Sequence, residues 1–315
     1  MLNLIRSYFA RRRIKGMFGG YVSPALVNRM VASGQKPALG GSEVEITPFF
    51  SSIHSYVGLA EQVPLPLLGK LMNAYFDASV TEIQEQGGTV DKFIGDAIVA
   101  MFGAPLPTPD HALRACVAAL RCQTRVSELR ERLHKEGDRW PPLVRQLRMR
   151  IGLHTGKAIV GNLGTKSRFN FTMMGDNVNL AARMEAGAKS YGVWTLCTDA
   201  TQRACERADA GRIVFRSLGP IMVKGRSGPV GLFEPVAFRE DVSDRLRECI
   251  SVFEAGLGRW RDRDWDGAVQ IFEKSARLEC DQPGTSPEIE VNPSTFYLKM
   301  ARSYRANPGE VPQFV

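Results

Sequence analysis

The sequence predicts an α/β fold of the α+β kind: a ferredoxin-like β-α-β-β-α-β unit with a helical N-terminal segment and a helical C-terminal appendage. Three observations predict it. Strand-like and helical runs alternate between about residues 39 and 238, pairs of strand runs are split by only two residues, and apolar residues recur at helical spacing through the tail.

Glu45 to Ile53 reads as the first strand, with Pro48 an awkward residue for a central one. Leu65 to Gln86 has helical periodicity and stops at Gly87–Gly88. Thr89 to Ile94 and Ala97 to Phe102 flank Gly95–Asp96, a two-residue hairpin turn with glycine in its first position. Thr108 offers an N-cap with Pro109 after it, opening a helix to about Lys135. Leu147 to His154 and Lys157 to Asn162 suggest a second hairpin around Thr155–Gly156, and a helix follows from about Asp176 to Ser190. Strand runs near 194–198, 212–218 and 229–236 complete the sheet, with its helices expected on one face. In the tail, Phe253, Leu257, Trp260, Trp265, Ala268 and Phe272 form one helix–turn–helix, similar to a single tetratricopeptide-type repeat and broken near Arg263–Asp264. The organisation expected is a basic helix and linker over 1–38, the sheet domain over 39–238 and a helical extension over 239–315, docked on the main domain.

Composition narrows the function. Of 315 residues, 44% are hydrophobic and 23% charged, which excludes wholesale disorder, and no run approaches the length of an apolar membrane span. The net charge of +8 suits phosphates, nucleic acid or a membrane surface without choosing among them. Six cysteines, at 116, 122, 197, 205, 249 and 280, form no CxxC pair and no zinc-ligand spacing, so free thiols in a reducing cytoplasm are expected. Arg6, Arg11, Arg12, Arg13 and Lys15 lie beside Leu2, Leu4, Ile5, Tyr8 and Phe9. Such a helix either lies on an anionic membrane or connects to a partner protomer. The chain is therefore expected in the cytoplasm, free or peripheral to a membrane.

Two glycine-punctuated segments carry the chemistry. In GGTVDKFIGDAIVAMFGAP (87–105), Asp96 sits at a hairpin tip, where a carboxylate is exposed on rigid strands and suits Mg²⁺ or Mn²⁺. Taken alone, a Gly-Asp pair is usually just turn chemistry. Lys92 lies mid-strand, either on a solvated face or aimed into a pocket. In NLGTKSRFNFTMMGDNVNLAARMEAGAKSYG (162–192), Asn179 and Arg183 are four apart on a helix and share a face. An amide and a guanidinium together can hold a sugar oxygen and a phosphate, or can be a plain surface pair.

Taken in order, DKFIGDAIVAMFG, RIGLHTGKAIVGNLG, GDNVNLAARME and VKGRSGPVGLFE resemble the class III nucleotidyl cyclases, the catalytic domains of adenylate and guanylate cyclases, over roughly residues 39–238. The resemblance implies conversion of ATP to 3′,5′-cyclic AMP and pyrophosphate in intracellular signalling, with ATP and not nucleic acid as partner. It implies Asp96 as one of two metal-binding aspartates. It implies Lys92 and Thr172 at the adenine, Asn179 at the ribose, Arg183 at the α-phosphate, and Arg168 and Lys224 at the outer phosphates. It also implies a site shared by two protomers, as a homodimer or as a heterodimer with an intact cyclase. Base choice has a separate chemical argument: donor-only Lys92 serves adenine N1 and cannot receive the guanine N1 proton, while Thr172 can accept from N6.

One position departs from the pattern. Where the family has Phe-x-Asp-Ile, this chain has Phe50, Ser51, Ser52 and Ile53, so Ser52 occupies the place of the second metal-binding carboxylate. A hydroxyl is a poor ligand for a hard dication, so a Mg²⁺ or Mn²⁺ pair would lack one ligand. Three readings follow: an active or weakly active adenylate cyclase, a degenerate cyclase that binds nucleotide or regulates a partner, and a membrane- or protein-docking scaffold.

Overall fold

The computed structural model describes residues 38–279, apart from 224 and 227, and residues 291–307. The basic helix expected at the N-terminus lies outside the described residues.

The sheet is built around β1 (Gly40–Ile53), followed by α1 (Tyr56–Gln62), α2 (Leu65–Glu85), β2 (Thr89–Ile94) and β3 (Ala97–Phe102). Then come α3 (His111–Lys135), a short α4 (Pro142–Arg145), β4 (Met149–Leu153), β5 (Gly156–Gly164) and β6 (Phe169–Met174). The remainder is α5 (Asp176–Tyr191), β7 (Thr195–Thr198), α6 (Asp199–Ala208), β8 (Ile213–Met222), β9 (Pro229–Phe238), α7 (Asp244–Arg261), α8 (Trp265–Leu278) and α9 (Pro293–Ala306). Strands run β2-β3-β1-β4-β7-β9-β8, with β5 paired to β1 and β6 to β5.

Side chains alternate across a strand, and here both faces are apolar. On β3, Ile98, Ala100 and Phe102 join a core with Tyr75 and Ile83 of α2 and with Ala115, Cys116 and Val126 of α3. Val99 and Met101 point the other way, into a core with Ala158 and Val160 of β5, Met173 of β6 and Val178 of α5. The helices therefore cover both faces rather than one, because a strand apolar on both sides needs cover on both. Gly152 shows how closely α5 lies: a Cβ there would meet the backbone nitrogen of Glu185 at 2.1 Å.

The suggested hairpin at Thr155–Gly156 is corrected. β4 and β5 do not fold back on each other. They run on along the same edge of β1 in one antiparallel register, Phe49 opposite Leu153 and Ile46 opposite Gly156. Pro48 falls in the gap between those two pairs on this edge, and on the other edge it stands opposite Met101 of β3. The third helix begins at His111 rather than at Pro109: its N–H donates to the Thr108 carbonyl at 3.1 Å, a turn preceding the helix. The first strand also starts five residues earlier than its apolar run, since Gly40–Glu45 is an exposed polar stretch held by β5.

The tail forms α7, α8 and α9. Arg263 adopts φ +58°, and the Asp264 side chain caps α8 by accepting the Gly267 N–H at 3.0 Å. Phe253, Trp260, Phe272 and Tyr297 share one core with Leu180, Met184, Ala188 and Tyr191 of α5. The Tyr297 hydroxyl donates to the Leu218 carbonyl of β8. The five described cysteines are all buried. Among the described residues, no helix is long and apolar enough to cross a membrane.

Candidate active site

The β2–β3 hairpin places the first candidates. Gly95 at φ +62° makes the turn, and Asp96 follows it. The Asp96 carboxylate accepts the backbone N–H of Ile53 at 2.6 Å, which pins the hairpin tip to the end of β1. Asp96 is thus held at the residue that follows Ser52.

The surroundings of Ser52 come from three elements. Arg150 sits opposite it on β4. The Ser52 hydroxyl donates to Glu185 Oε1 of α5, and Arg150 Nε donates to the same carboxylate oxygen at 3.2 Å. Arg150 Nη2 stands 3.4 Å from Ser52 Oγ, and Nη1 lies 2.8 Å from His54 Nδ1. Glu185 and Arg150 were not singled out in the sequence. Both lie inside the quoted motifs, but no spacing signals a pair 35 residues apart.

This donor set can be tested against two cations. Asp96 gives one carboxylate, already holding one N–H. Ser52 gives a neutral oxygen whose proton belongs to Glu185, with a guanidinium beside it. Such a set fits one divalent ion at Asp96 and does not fit a second at Ser52.

A second group forms around the other side of the hairpin. Lys92 Nζ donates to Thr172 Oγ1 at 3.3 Å, joining β2 to β6. Thr172 donates in turn to Asp91 Oδ2 at 2.5 Å. Asp91 is a residue the sequence reading did not single out. Burial raises its pKa, and the bonds from Thr172 and Lys92 oppose that shift. Among the described residues, no hydrogen bond or ion pair joins this group to Asp96 and Ser52.

α5 supplies the third set. Gly175 precedes it and Gly192 ends it at φ +66°. Asn179 and Arg183 are exposed one turn apart, while Leu180 and Met184 are buried behind them. Arg168 is exposed in the turn between β5 and β6, where its carbonyl accepts the Thr165 N–H at 2.8 Å. Lys224 lies outside the described residues. Two positions on, Arg226 Nη2 bonds Asp176 at 2.8 Å and Asn177 Oδ1 at 2.6 Å, tethering that loop to the start of α5.

Asn177 links the tether to the interior. Its Oδ1 also meets His154 Nε2 at 3.0 Å, and its Nδ2 donates to the Lys157 carbonyl at 2.8 Å. Since Oδ1 only accepts, His154 carries its proton on Nε2, and Nδ1 accepts from Thr198 at 2.7 Å. Burial lowers the pKa of His154, and likewise of His111 and of His54, where Arg150 adds to the effect. The sign follows: these rings are neutral in the fold and take up protons more readily once unfolded. Their contribution is complete above their ordinary value of 6.5 and is lost as pH falls below it. The melting temperature should therefore fall as pH is lowered from 6.5. Buried Asp91, Glu234 and Glu254, with raised pKa values, act in the opposite sense. A melting temperature that rises on acidification would show that they dominate.

With this geometry in place, the comparisons with known proteins are direct. The adenylate and guanylate cyclase catalytic domain matches residues 41–233. The chain is 32% identical over 219 residues to adenylate cyclase 1 of Rhizobium meliloti, covering 70% of this chain and 31% of that protein. It is 30% identical over 245 residues to the terminal-differentiation-specific adenylate cyclase of Dictyostelium discoideum, 78% of this chain and 11% of that protein. Among solved structures, the adenylyl cyclase CyaB from P. aeruginosa aligns with a TM-score of 0.57 at 30% identity, covering 65% of this chain and all of that one. The guanylyl cyclase Cya2 aligns at 0.55 and 28% identity, over 65% of this chain and 98% of that one. The chain belongs to the class III adenylate and guanylate cyclase catalytic-domain family. It spans less than a third of the length of those two curated relatives.

Proposed function

We propose that this chain is an adenylate cyclase that closes ATP to 3′,5′-cyclic AMP. The observation that carries the reading is the Lys92–Thr172 contact, which joins two side chains 80 residues apart in the chain at one place. Together they offer a donor for adenine N1 and an acceptor for N6. Asn179 then orients the ribose, and Arg183, one turn along the same exposed face, stabilises charge on the α-phosphate. Arg168 and Lys224 hold the outer phosphates. In the reaction the ribose 3′-oxygen bonds to the α-phosphorus, the 3′ proton is released, and the bond to pyrophosphate breaks with its electron pair on the leaving group. Asp96 would hold a single Mg²⁺ or Mn²⁺, which when bound neutralises phosphate charge. As in the family the chain resembles, a complete site would take Asp96 from one protomer and Lys92, Thr172, Asn179 and Arg183 from the other. The partner is a second copy or an intact cyclase.

A second reading, a cyclase that binds nucleotide without turning it over and regulates a partner, draws on the guanidinium beside Ser52. Cyclic AMP formation by purified protein with ATP and Mn²⁺, then Mg²⁺, separates the two, with GTP run in parallel. Lys92→Glu tests the base site. It should weaken ATP binding by about 1–3 kcal/mol and relax or reverse the preference over GTP. Unchanged affinities for both nucleotides would remove the assignment.

A further inference from the structure

Asp91 stands one residue before Lys92, with its side chain only 1% exposed. Neighbouring residues of a regular strand point to opposite faces. Here β2 carries a bulge: Val90 faces Ala100 and Lys92 faces Val99, so Asp91 is the extra residue. The bulge lets two neighbours reach one hydroxyl, that of Thr172.

A hydroxyl has one proton and two lone pairs. An ionised Asp91 can only accept, so the Thr172 proton goes to it. Lys92 can only donate, so it takes one lone pair. A single lone pair remains for a ligand. We propose that Asp91 is a specificity-determining positioning residue: it fixes Thr172 as a hydrogen-bond acceptor and so selects a 6-amino purine nucleotide over a 6-oxo one. A 6-amino group donates to the remaining lone pair. A 6-oxo group meets lone pair against lone pair and receives no donor from Thr172. The proposal rests on the reading of Lys92 and Thr172 as the base site.

The test uses the full chain with Mn²⁺ and the unreactive 3′-deoxy-ATP and 3′-deoxy-GTP, titrated by calorimetry. Asp91→Asn keeps the shape but can donate to Thr172, which frees the hydroxyl proton to point at a 6-oxo group. It should leave 3′-deoxy-ATP affinity nearly unchanged and lower the preference over 3′-deoxy-GTP by about tenfold. Thr172→Val should lower the preference too, and adding Asp91→Asn to it should change nothing further, because the two act through one hydroxyl. A parent-protein measurement covers the case of a misfolded variant. The 3′-deoxy triphosphate of purine riboside keeps N1 but lacks the 6-amino group, and should bind about tenfold more weakly than 3′-deoxy-ATP. An unchanged preference in Asp91→Asn while Thr172→Val lowers it overturns the proposal and leaves the base site standing, whereas equal binding of those two analogues overturns the proposal together with the place of Thr172 in the base site. If neither Thr172→Val nor Lys92→Glu shifts the preference, the base site itself is misplaced and both fall.

Discussion

Replacing Arg216 with alanine should destabilise the fold by about 3–5 kcal/mol, a large part of the roughly 5–15 kcal/mol that holds a typical domain folded. The guanidinium is only 2% exposed. Its Nε and Nη2 donate to Glu234 Oε2 at 2.8 and 2.6 Å, and its Nη1 donates to Glu279 Oε1 at 2.8 Å. It also lies 5.4 Å from the centre of the Phe253 ring. Glu279 in turn accepts from the backbone and hydroxyl of Ser294 on α9. Alanine would leave two carboxylates facing each other without a cation, in a place where burial already raises the pKa of Glu234. The midpoint of urea unfolding should fall with its slope unchanged. A loss below about 1 kcal/mol would mean that water or another cation reaches the pair, and that the fork is not what holds it.

Ser52→Asp should raise cyclic AMP formation at least tenfold, since about 1.4 kcal/mol is modest for a metal-binding carboxylate. The structure defines what the change meets. It removes the proton that Ser52 gives to Glu185 and sets a second carboxylate beside the first. Arg150 stands within reach of both, so much of the repulsion is offset without metal. Added Mn²⁺ and an unreactive ATP analogue should therefore raise the melting temperature more in the variant than in the parent. The parent should do relatively better with Mn²⁺ than with Mg²⁺, which demands stricter octahedral geometry. If the folded variant gains neither product nor a larger metal-dependent shift, loss of this carboxylate is not what limits the chemistry.

Much of this was legible in the sequence where one local signal decides the outcome. Gly95–Asp96 and Gly192 marked a turn and a helix end, and their spacing of four put Asn179 and Arg183 on one face of α5. The Thr155–Gly156 hairpin failed for a physical reason: two strand runs split by two residues fit a turn and a continued strand equally well. Only pairing with β1 decides between them. The same limit hid β6 and α6, which are short and defined by their partners. It also hid Asp91, Arg150 and Glu185. Each matters through a residue distant in the chain, Thr172 for Asp91 and Ser52 for the other two. Conversely, Ser52 was visible from the motif alone, but the guanidinium that stands with it was not.

The packing of α5 bears on how this protein can be cut for study. A fragment trimmed to the matched stretch, 41–233, would sever β9 midway, since that strand runs to Phe238. It would also strip Phe253, Phe272 and Tyr297 from the core they share with Leu180 and Met184. Asn179 and Arg183 are the chain neighbours of Leu180 and Met184 on that helix, so their aim depends on aromatic side chains well beyond the matched stretch. Kinetic comparison with relatives trimmed at the motif boundary is therefore uneven. The smallest piece that keeps this face in place must carry its own helical backing through α9.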